Sequence, residues 1–368
     1  MKILYLSKSP IPSRQANSIH VMNMCSAFSK QHNILLLGTK VNDDSLIDIF
    51  SYYGVKGKFL IDLIKKRNNI LNAISYFEVI KKLFKFNPDL VYGRSHILCW
   101  LAVILRFPVI FESHDPPFLF SGLRGFVFNQ LLQSNKLIRI IVISSTLKKA
   151  YCDYGFNEHK ILVSHDAANH NNSIPLKFEN SDRLQVGYVG HLYKGRGIEI
   201  IASMAKQCKW ADFHIVGGMK ADIVSWKSLF SNIDNLTFHG FMNPSKVHSF
   251  MRGCNVLLAP YQSVVEIAGG GNTVDWMSPL KIFEYMSSGV PIIASDLASL
   301  REVLVPDETC LMCKCNDVKE WVDKLKSFQS NSLRRKISRA AYEVFNESYT
   351  WDIRAKAVLD GLKSNLIK

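Results

Sequence analysis

A serine, a proline, a lysine and a glutamate within seven positions, Ser278-Pro279-Leu280-Lys281-Ile282-Phe283-Glu284, make the chemically most suggestive stretch of this 368-residue chain. Ser278 reads as a helix N-cap, with Pro279 at the first helical position, where its missing N–H costs nothing. The unpaired amides of Leu280 and Lys281 and the helix dipole then favour an anion, and Lys281 adds a full positive charge. Glu284, three residues on, shares the face of Lys281. A carboxylate that close to an anion site suits a neutral hydroxylated group. The pattern points to a nucleoside diphosphate, with phosphates at the helix end and ribose hydroxyls on the acid. The alternative is an amphipathic helix whose Lys281 and Glu284 form a solvated pair.

Four further segments carry candidate chemistry. Gly190-His-Leu-Tyr-Lys194-Gly-Arg196-Gly197 is a turn whose glycines permit close backbone approach while Lys194 and Arg196 supply cations. Its other reading is a flexible basic loop. Glu266-Ile-Ala-Gly-Gly-Gly-Asn272-Thr-Val-Asp275 is a glycine-rich loop offering Asn272, Thr273 and Asp275 to sugar hydroxyls, or else a surface excursion. Phe111-Glu-Ser-His114-Asp115-Pro-Pro117 places His114 at the end of an expected strand, to donate to a sugar hydroxyl or to share a proton with Asp115. A histidine stitching its own loop is the competing reading. The loop after the first strand, Ser7 to His20, feeds a helix expected to start near Asn17 or Ser18, and contains no dinucleotide fingerprint.

The elements that must position these residues follow from periodicity. In the first half, Ile3–Leu6, Ile34–Leu37, Leu90–Tyr92, Val109–Glu112, Ile138–Ile143 and Ile161–Val163 read as strands. Helices are expected near 18–30, 61–86, 97–105, 122–135 and 144–154. After a polar break at 171–182 the scheme repeats, with strands at 184–189, 212–216, 236–239, 256–259 and 291–294. The helix that opens at Leu280 should end at Gly289. Alternating strands and helices mean α/β architecture, here two doubly wound parallel sheets. The expected domains are 1–172, 183–345 and a last helical segment, 346–368, crossing back to the first. Ligands bind beyond the C-terminal strand ends of such sheets, so a cleft between the domains is the expected site.

Composition narrows the partners. The chain is 48% hydrophobic and carries +14 net charge, with 21 Lys+Arg against 11 Asp+Glu up to residue 175 and 24 against 20 beyond. The first half should therefore meet an anionic partner. Zinc-finger spacing, an RNP aromatic motif and a basic tail are all missing from the sequence, so nucleic acid is not expected. Basic residues interleave with apolar ones at Ile61–Ile70 and Val79–Phe86, which suits an anionic membrane face. A solvated helix face with its apolar side in the core is the other reading. The opening Met1–Leu6 run reads as a first strand rather than a secretory signal, and scattered cysteines fit reduced thiols, so a cytoplasmic protein is expected. Cys310, Cys313 and Cys315 are clustered but have no second ligand pair at metal spacing.

Together these motifs resemble the retaining GT-B glycosyltransferases, specifically glycosyltransferase family 4, over nearly the whole chain and most strongly from 184 to 305. The turn at Lys194 resembles the family's donor-diphosphate turn. Asn235-Leu-Thr-Phe-His-Gly240-Phe and Cys254-Asn-Val-Leu-Leu-Ala-Pro260-Tyr resemble its nucleotide-pocket strands, and Ser278 to Pro291 its donor-binding helix. Ala16 to Cys25 resembles the helix after the acceptor-side loop, His114 the histidine near the transferred sugar, and Tyr349-Thr-Trp351 the aromatic anchor of the final crossing helix. The resemblance implies two Rossmann-like domains facing across a cleft, a nucleotide-sugar donor (UDP favoured over GDP), no cofactor and no required metal. It implies catalytic roles for His114, Lys194 and Glu284. Gly190, Arg196, Ser278, Leu280, Lys281, Asp275, Asn17 and Ser18 would bind substrate. It further implies transfer to a glycan or lipid-linked glycan, in cell-surface polysaccharide or lipopolysaccharide assembly, by a protein peripheral on the inner face of the plasma membrane. One departure stands out: the family's first glutamate, eight positions before Glu284, is Trp276 here. A nucleotide-sugar 2-epimerase and a non-catalytic membrane-associated subunit are the alternatives of the same fold.

Overall fold

Strands such as Ile3–Leu6 and Val256–Ala259 are buried on both faces, as only parallel strands covered by helices on either side are. The computed structural model describes residues 1–40, 48–65, 72–179, 182–265 and 272–362. It divides into two compact units, Met1–Asp166 with Trp351–Lys368, and Ala167–Thr350.

Unit 1 runs β1 (Lys2–Ile11), α1 (Ala16–Phe28), β2 (Asn33–Lys40), α2 (Ile49–Tyr53), β3 (Leu60–Lys65), α3 (Asn72–Phe86) and β4 (Leu90–Gly93). It continues through α4 (His96–Ile104), β5 (Val109–Ser113), α5 (Gly122–Gln133), β6 (Leu137–Val142), α6 (Ser145–Asp153) and β7 (Ile161–Val163). Unit 2 comprises β8 (Leu184–Val189), α7 (Ile198–Gln207), β9 (Ala211–Val216), α8 (Lys220–Leu229), β10 (Leu236–Gly240), α9 (Pro244–Gly253) and β11 (Val256–Ala259). Then come α10 (Leu280–Ser288), β12 (Ile292–Ser295), α11 (Ala298–Arg301), β13 (Leu311–Cys313), α12 (Val318–Ser327) and α13 (Asn331–Ser348). The last helix, α14 (Trp351–Leu359), packs on α1 within unit 1.

Both sheets are parallel, ordered β3-β2-β1-β4-β5-β6-β7 and β10-β9-β8-β11-β12-β13. Strand order reverses beside β1 in the first and beside β8 in the second. The crevice where connections leave in opposite directions is where such sheets bind ligands.

Several expectations change. Residues 61–65 are not the start of a basic helix but edge strand β3, in register with Leu35–Lys40 of β2. Leu60-Ile-Asp-Leu-Ile-Lys65 alternates as well as it cycles, and pairing with β2 decides it. Lys66 and Arg67 lie outside the described residues. Segment 171–176 is laced onto α9 rather than free: Asn171 donates to the His248 carbonyl at 3.1 Å, Leu176 N–H to that of Ser249 at 2.8 Å, and Arg252 to that of Ser173 at 2.7 Å. The division into compact units falls at Asp166/Ala167. The cysteine cluster is edge strand β13 and its ends: Cys310 and Cys313 are buried, and burial pushes their thiols up. Among the described residues no helix is long and apolar enough to cross a membrane.

Candidate active site

In unit 2 the end of β8, the end of β11 and the start of α10 meet at the switch point. Tyr285, on α10, fixes the meeting: its hydroxyl accepts the Val189 N–H at 2.8 Å. The turn after β8 lies hard against the strand beside it. Gly197 (φ +78°) sits where a Cβ would stand 1.9 Å from the Pro260 carbonyl oxygen, so only glycine closes this turn. The Gly195 carbonyl accepts the Gln262 N–H at 2.9 Å.

This framework converges four of the expected residues. Lys281 Nζ lies 3.9 Å from the Tyr188 ring centroid and 5.0 Å from that of Tyr261, and the Arg196 guanidinium lies 5.3 Å from the Tyr261 ring. A Cβ on Gly190 would come within 2.7 Å of Lys281 Nζ. The ammonium is buried with no hydrogen-bond partner, as is Arg196 Nε. Burial first and Arg196 second hold the Lys281 amine well below the ordinary lysine value, with Glu284 opposing. Burial raises the Glu284 carboxyl, Lys281 opposing, and among the described residues no hydrogen bond engages that carboxylate. Two cations and the open amides of a nine-residue helix around one side-chain-free glycine make an anion site, and a carboxylate stands beside it.

The remaining unit 2 residues fall differently. Ser278 is buried, and Pro279 holds the N-cap position, with Leu280 and Lys281 the first helical residues. Proline's fixed φ and extended ψ serve there as well as at N1. The helix ends at Gly289 in the left-handed conformation, φ 68°. Lys194 is exposed and lines a groove of about 390 Å³ with Glu199, Gln262 and Ser263; no described contact joins it to Lys281. Asp275 is exposed. Asn272 is spent on backbone, its Oδ1 accepting the amides of Val265 and Val274. Glu266 and Gly269–Gly271 lie outside the described residues.

In unit 1, His114 faces Glu112 rather than Asp115, with Nε2 2.6 Å from Oε1. A strand residue two positions back projects to the same side, whereas Asp115 lies around the turn. Glu112 is 1% exposed and collects donors, Tyr92 through its hydroxyl and Arg354 at 3.3 Å, with His20 Nε2 close by at 2.8 Å. Burial alone pushes the Glu112 carboxyl up, but Arg354, His20 and His114 outweigh it and hold the group well below the usual carboxylate range. Burial, then Arg94, lower His114 to about 4 against the pull of Glu112, so its imidazole is neutral near pH 7. With the one proton on Nε2 toward Glu112, the other nitrogen is an acceptor. His20 Nδ1 also meets Asp166 Oδ1 at 2.7 Å. Arg354, from α14, donates to the Ser164 and His165 carbonyls.

Sequence reasoning missed Glu112, His20, Asp166 and Arg354 as a set. The signal was a carboxylate directly after the apolar run Val109–Phe111, but its arginine stands 242 positions away. His20, His114 and Asp166 offer ligand atoms within 4.8 Å of one another, yet these are committed to Glu112 and to each other, with Arg354 already supplying positive charge. Ser18, expected to touch substrate, donates to the Pro10 carbonyl at 2.7 Å; Asn17 is exposed, and α1 starts at Ala16.

Comparison with known proteins agrees with this geometry. Residues 18–170 match the model for Glycosyltransferase Family 4, and residues 171–344 that for glycosyl transferases group 1. A glycosyltransferase of Methanocaldococcus jannaschii is 22% identical over 317 residues, covering 77% of this chain and 76% of its own. Anabaena HepE in complex with UDP-glucose superposes with a TM-score of 0.72 at 15% identity, over 98% of this chain and 100% of that one. WaaG, a glycosyltransferase involved in lipopolysaccharide biosynthesis, does so with a TM-score of 0.65 at 13% identity, over 98% and 100%. The chain belongs to the glycosyltransferases of the GT-B fold, family 4 in its first half and group 1 in its second.

Proposed function

We propose that the protein moves a sugar from a nucleotide-diphosphate donor to an acceptor hydroxyl with retained anomeric configuration and without a required metal. The observation that carries this is Lys281 Nζ, buried without a hydrogen-bond partner against the side-chain-free Gly190, with Arg196 alongside. A buried ammonium so placed is costly until a pyrophosphate arrives, and the charge that builds on that leaving group is what such a site stabilises best. Glu284 takes the ribose hydroxyls. Lys194, on its exposed turn, reaches the phosphates when donor is bound. Asp275 stands in for the missing first glutamate. HepE was crystallised with UDP and with UDP-glucose, which supports UDP over GDP here.

The reaction follows the front-side course. The bond from the anomeric carbon to the phosphate oxygen breaks, the acceptor oxygen bonds the same face, and the acceptor proton passes to the leaving phosphate. Neutral His114, held by Glu112, takes a hydrogen bond from a sugar hydroxyl rather than donating one. The acceptor is a glycan or lipid-linked glycan of cell-surface polysaccharide assembly, in line with the involvement of WaaG in lipopolysaccharide biosynthesis. An anionic membrane surface fits the excess of basic residues before residue 175, and the outward face of α3 carries Phe77, Lys81, Phe84 and Lys85. Lys194→Ala and Glu284→Ala should each lower transfer at limiting donor by about 10- to 100-fold. Normal transfer by both variants would refute the assignment.

A further inference from the structure

We infer that His214 and His239 together bind a transition-metal ion of the zinc class. They belong to unit 2, His214 on β9 and His239 on the edge strand β10, and their rings meet on one face of the sheet. His214 is half-buried and His239 exposed, so the pair is open to solvent. Phe238 pairs with Ile215 and Gly240 with Val216, which makes His239 the extra residue of a β-bulge. A bulge re-aims the side chain it carries. Here it sets His239 Nε2 3.0 Å from His214 Nδ1. Two nitrogens each about 2.0–2.1 Å from one zinc, at right to tetrahedral angles, stand about 2.9–3.4 Å apart. The pair has the spacing of two ligands to one ion.

The surroundings decide which nitrogen is offered. Gln185 Nε2 donates to the Arg183 carbonyl at 2.9 Å and approaches the Asp212 carboxylate at 3.4 Å, so its Oε1 accepts from His214 Nε2 at 2.8 Å. The His214 proton is thereby held on Nε2, and the lone pair of Nδ1 faces His239. A ligating histidine whose other ring N–H is held by an oxygen is the arrangement metal sites use. Phe178 stacks on the His214 ring at 4.5 Å and Phe250 meets both rings by edge, which fixes their orientation. Burial, then His239, lower His214 to about 4 against the pull of Asp212, while burial and Lys227 lower His239. Both imidazoles are therefore neutral near pH 7, the form that ligates. An entering ion replaces the one proton between the rings, and His239 then carries its proton on Nδ1; water fills the remaining positions. The site is built on β9 and β10, not on the ends of β8, β11 and α10, and the transfer proposed above does not need it.

The test is calorimetric titration of the chelator-treated full chain with Zn2+ at about pH 7.5, with the melting temperature in EDTA as the folding control. His239→Gln carries it, because His239 is exposed and its replacement leaves the core intact. Wild type should bind Zn2+, and His239→Gln should bind it at least about tenfold more weakly with an unchanged melting temperature. Cu2+ in place of zinc gives a second readout. Its electron paramagnetic resonance spectrum should show coupling to two imidazole nitrogens in wild type and to one in His239→Gln. Failure of wild type to bind Zn2+, or equal binding by wild type and His239→Gln, would overturn the inference and leave the pair a hydrogen bond between strands. So would a Cu2+ spectrum that is the same in both proteins.

Discussion

Lys281 carries most of the site's electrostatic tension. Its amine is held below the ordinary lysine value by burial and by Arg196, so the native protein binds fewer protons here than the unfolded chain between the two values. Stability of the free protein from this group therefore rises with pH across that window and is reduced below it. A bound diphosphate favours the charged form and moves the amine back toward its ordinary value, so binding should take up protons in the pH range between the free and the bound values. Titration calorimetry in buffers of different ionisation enthalpy measures that uptake, and Lys281→Met should remove it.

The elements that hold these residues make stronger demands than the residues themselves. The turn after β8 exists because Gly197 lets it lie on Pro260. Gly197→Ala should cost about 2–4 kcal/mol through left-handed strain plus backbone collision, read by urea denaturation. In unit 1 the demand falls on α14, whose Arg354 neutralises the buried Glu112 behind His114. Arg354→Ala leaves that carboxylate unpaired and should destabilise by about 3–5 kcal/mol, whereas Arg354→Lys recovers part of the loss. Proteolysis-resistant folding and transfer rate should fall together if α14 serves the histidine as well as the core. The helix α10 was legible to within one residue: Lys281, Glu284 and Gly289 each carry a local rule, while Pro279 takes the N-cap position instead of the first helical one. The strands β3 and β13 were not: short edge strands with Asp62, Lys65 or cysteine in them pair because a neighbour is there, and periodicity does not see the neighbour.

At the scale of the whole molecule, the sequence displayed the two-unit α/β plan, since apolar runs buried on both faces and alternating with helices leave few other folds. It also displayed the cations and the carboxylate of unit 2, which lie on two short motifs. It did not display which cations meet. Lys194 and Arg196 are two residues apart, yet only Arg196 turns toward Lys281, because the glycines either side of it fold the loop onto β11. Nor did it display the Glu112 network, whose members come from five separate segments and are joined only by tertiary structure. A change of unit at Asp166 follows from the same cause, as Asp166 is claimed by His20.

The most direct measurement is calorimetric binding of UDP and of uridine to the wild-type chain and to Lys281→Ala. The account predicts that wild type binds UDP far more tightly than uridine, and that Lys281→Ala loses roughly 30- to 100-fold for UDP while its uridine binding is unchanged. Equal affinity of the two proteins for UDP, or an equal loss for uridine, would contradict the claim that this ammonium receives the pyrophosphate.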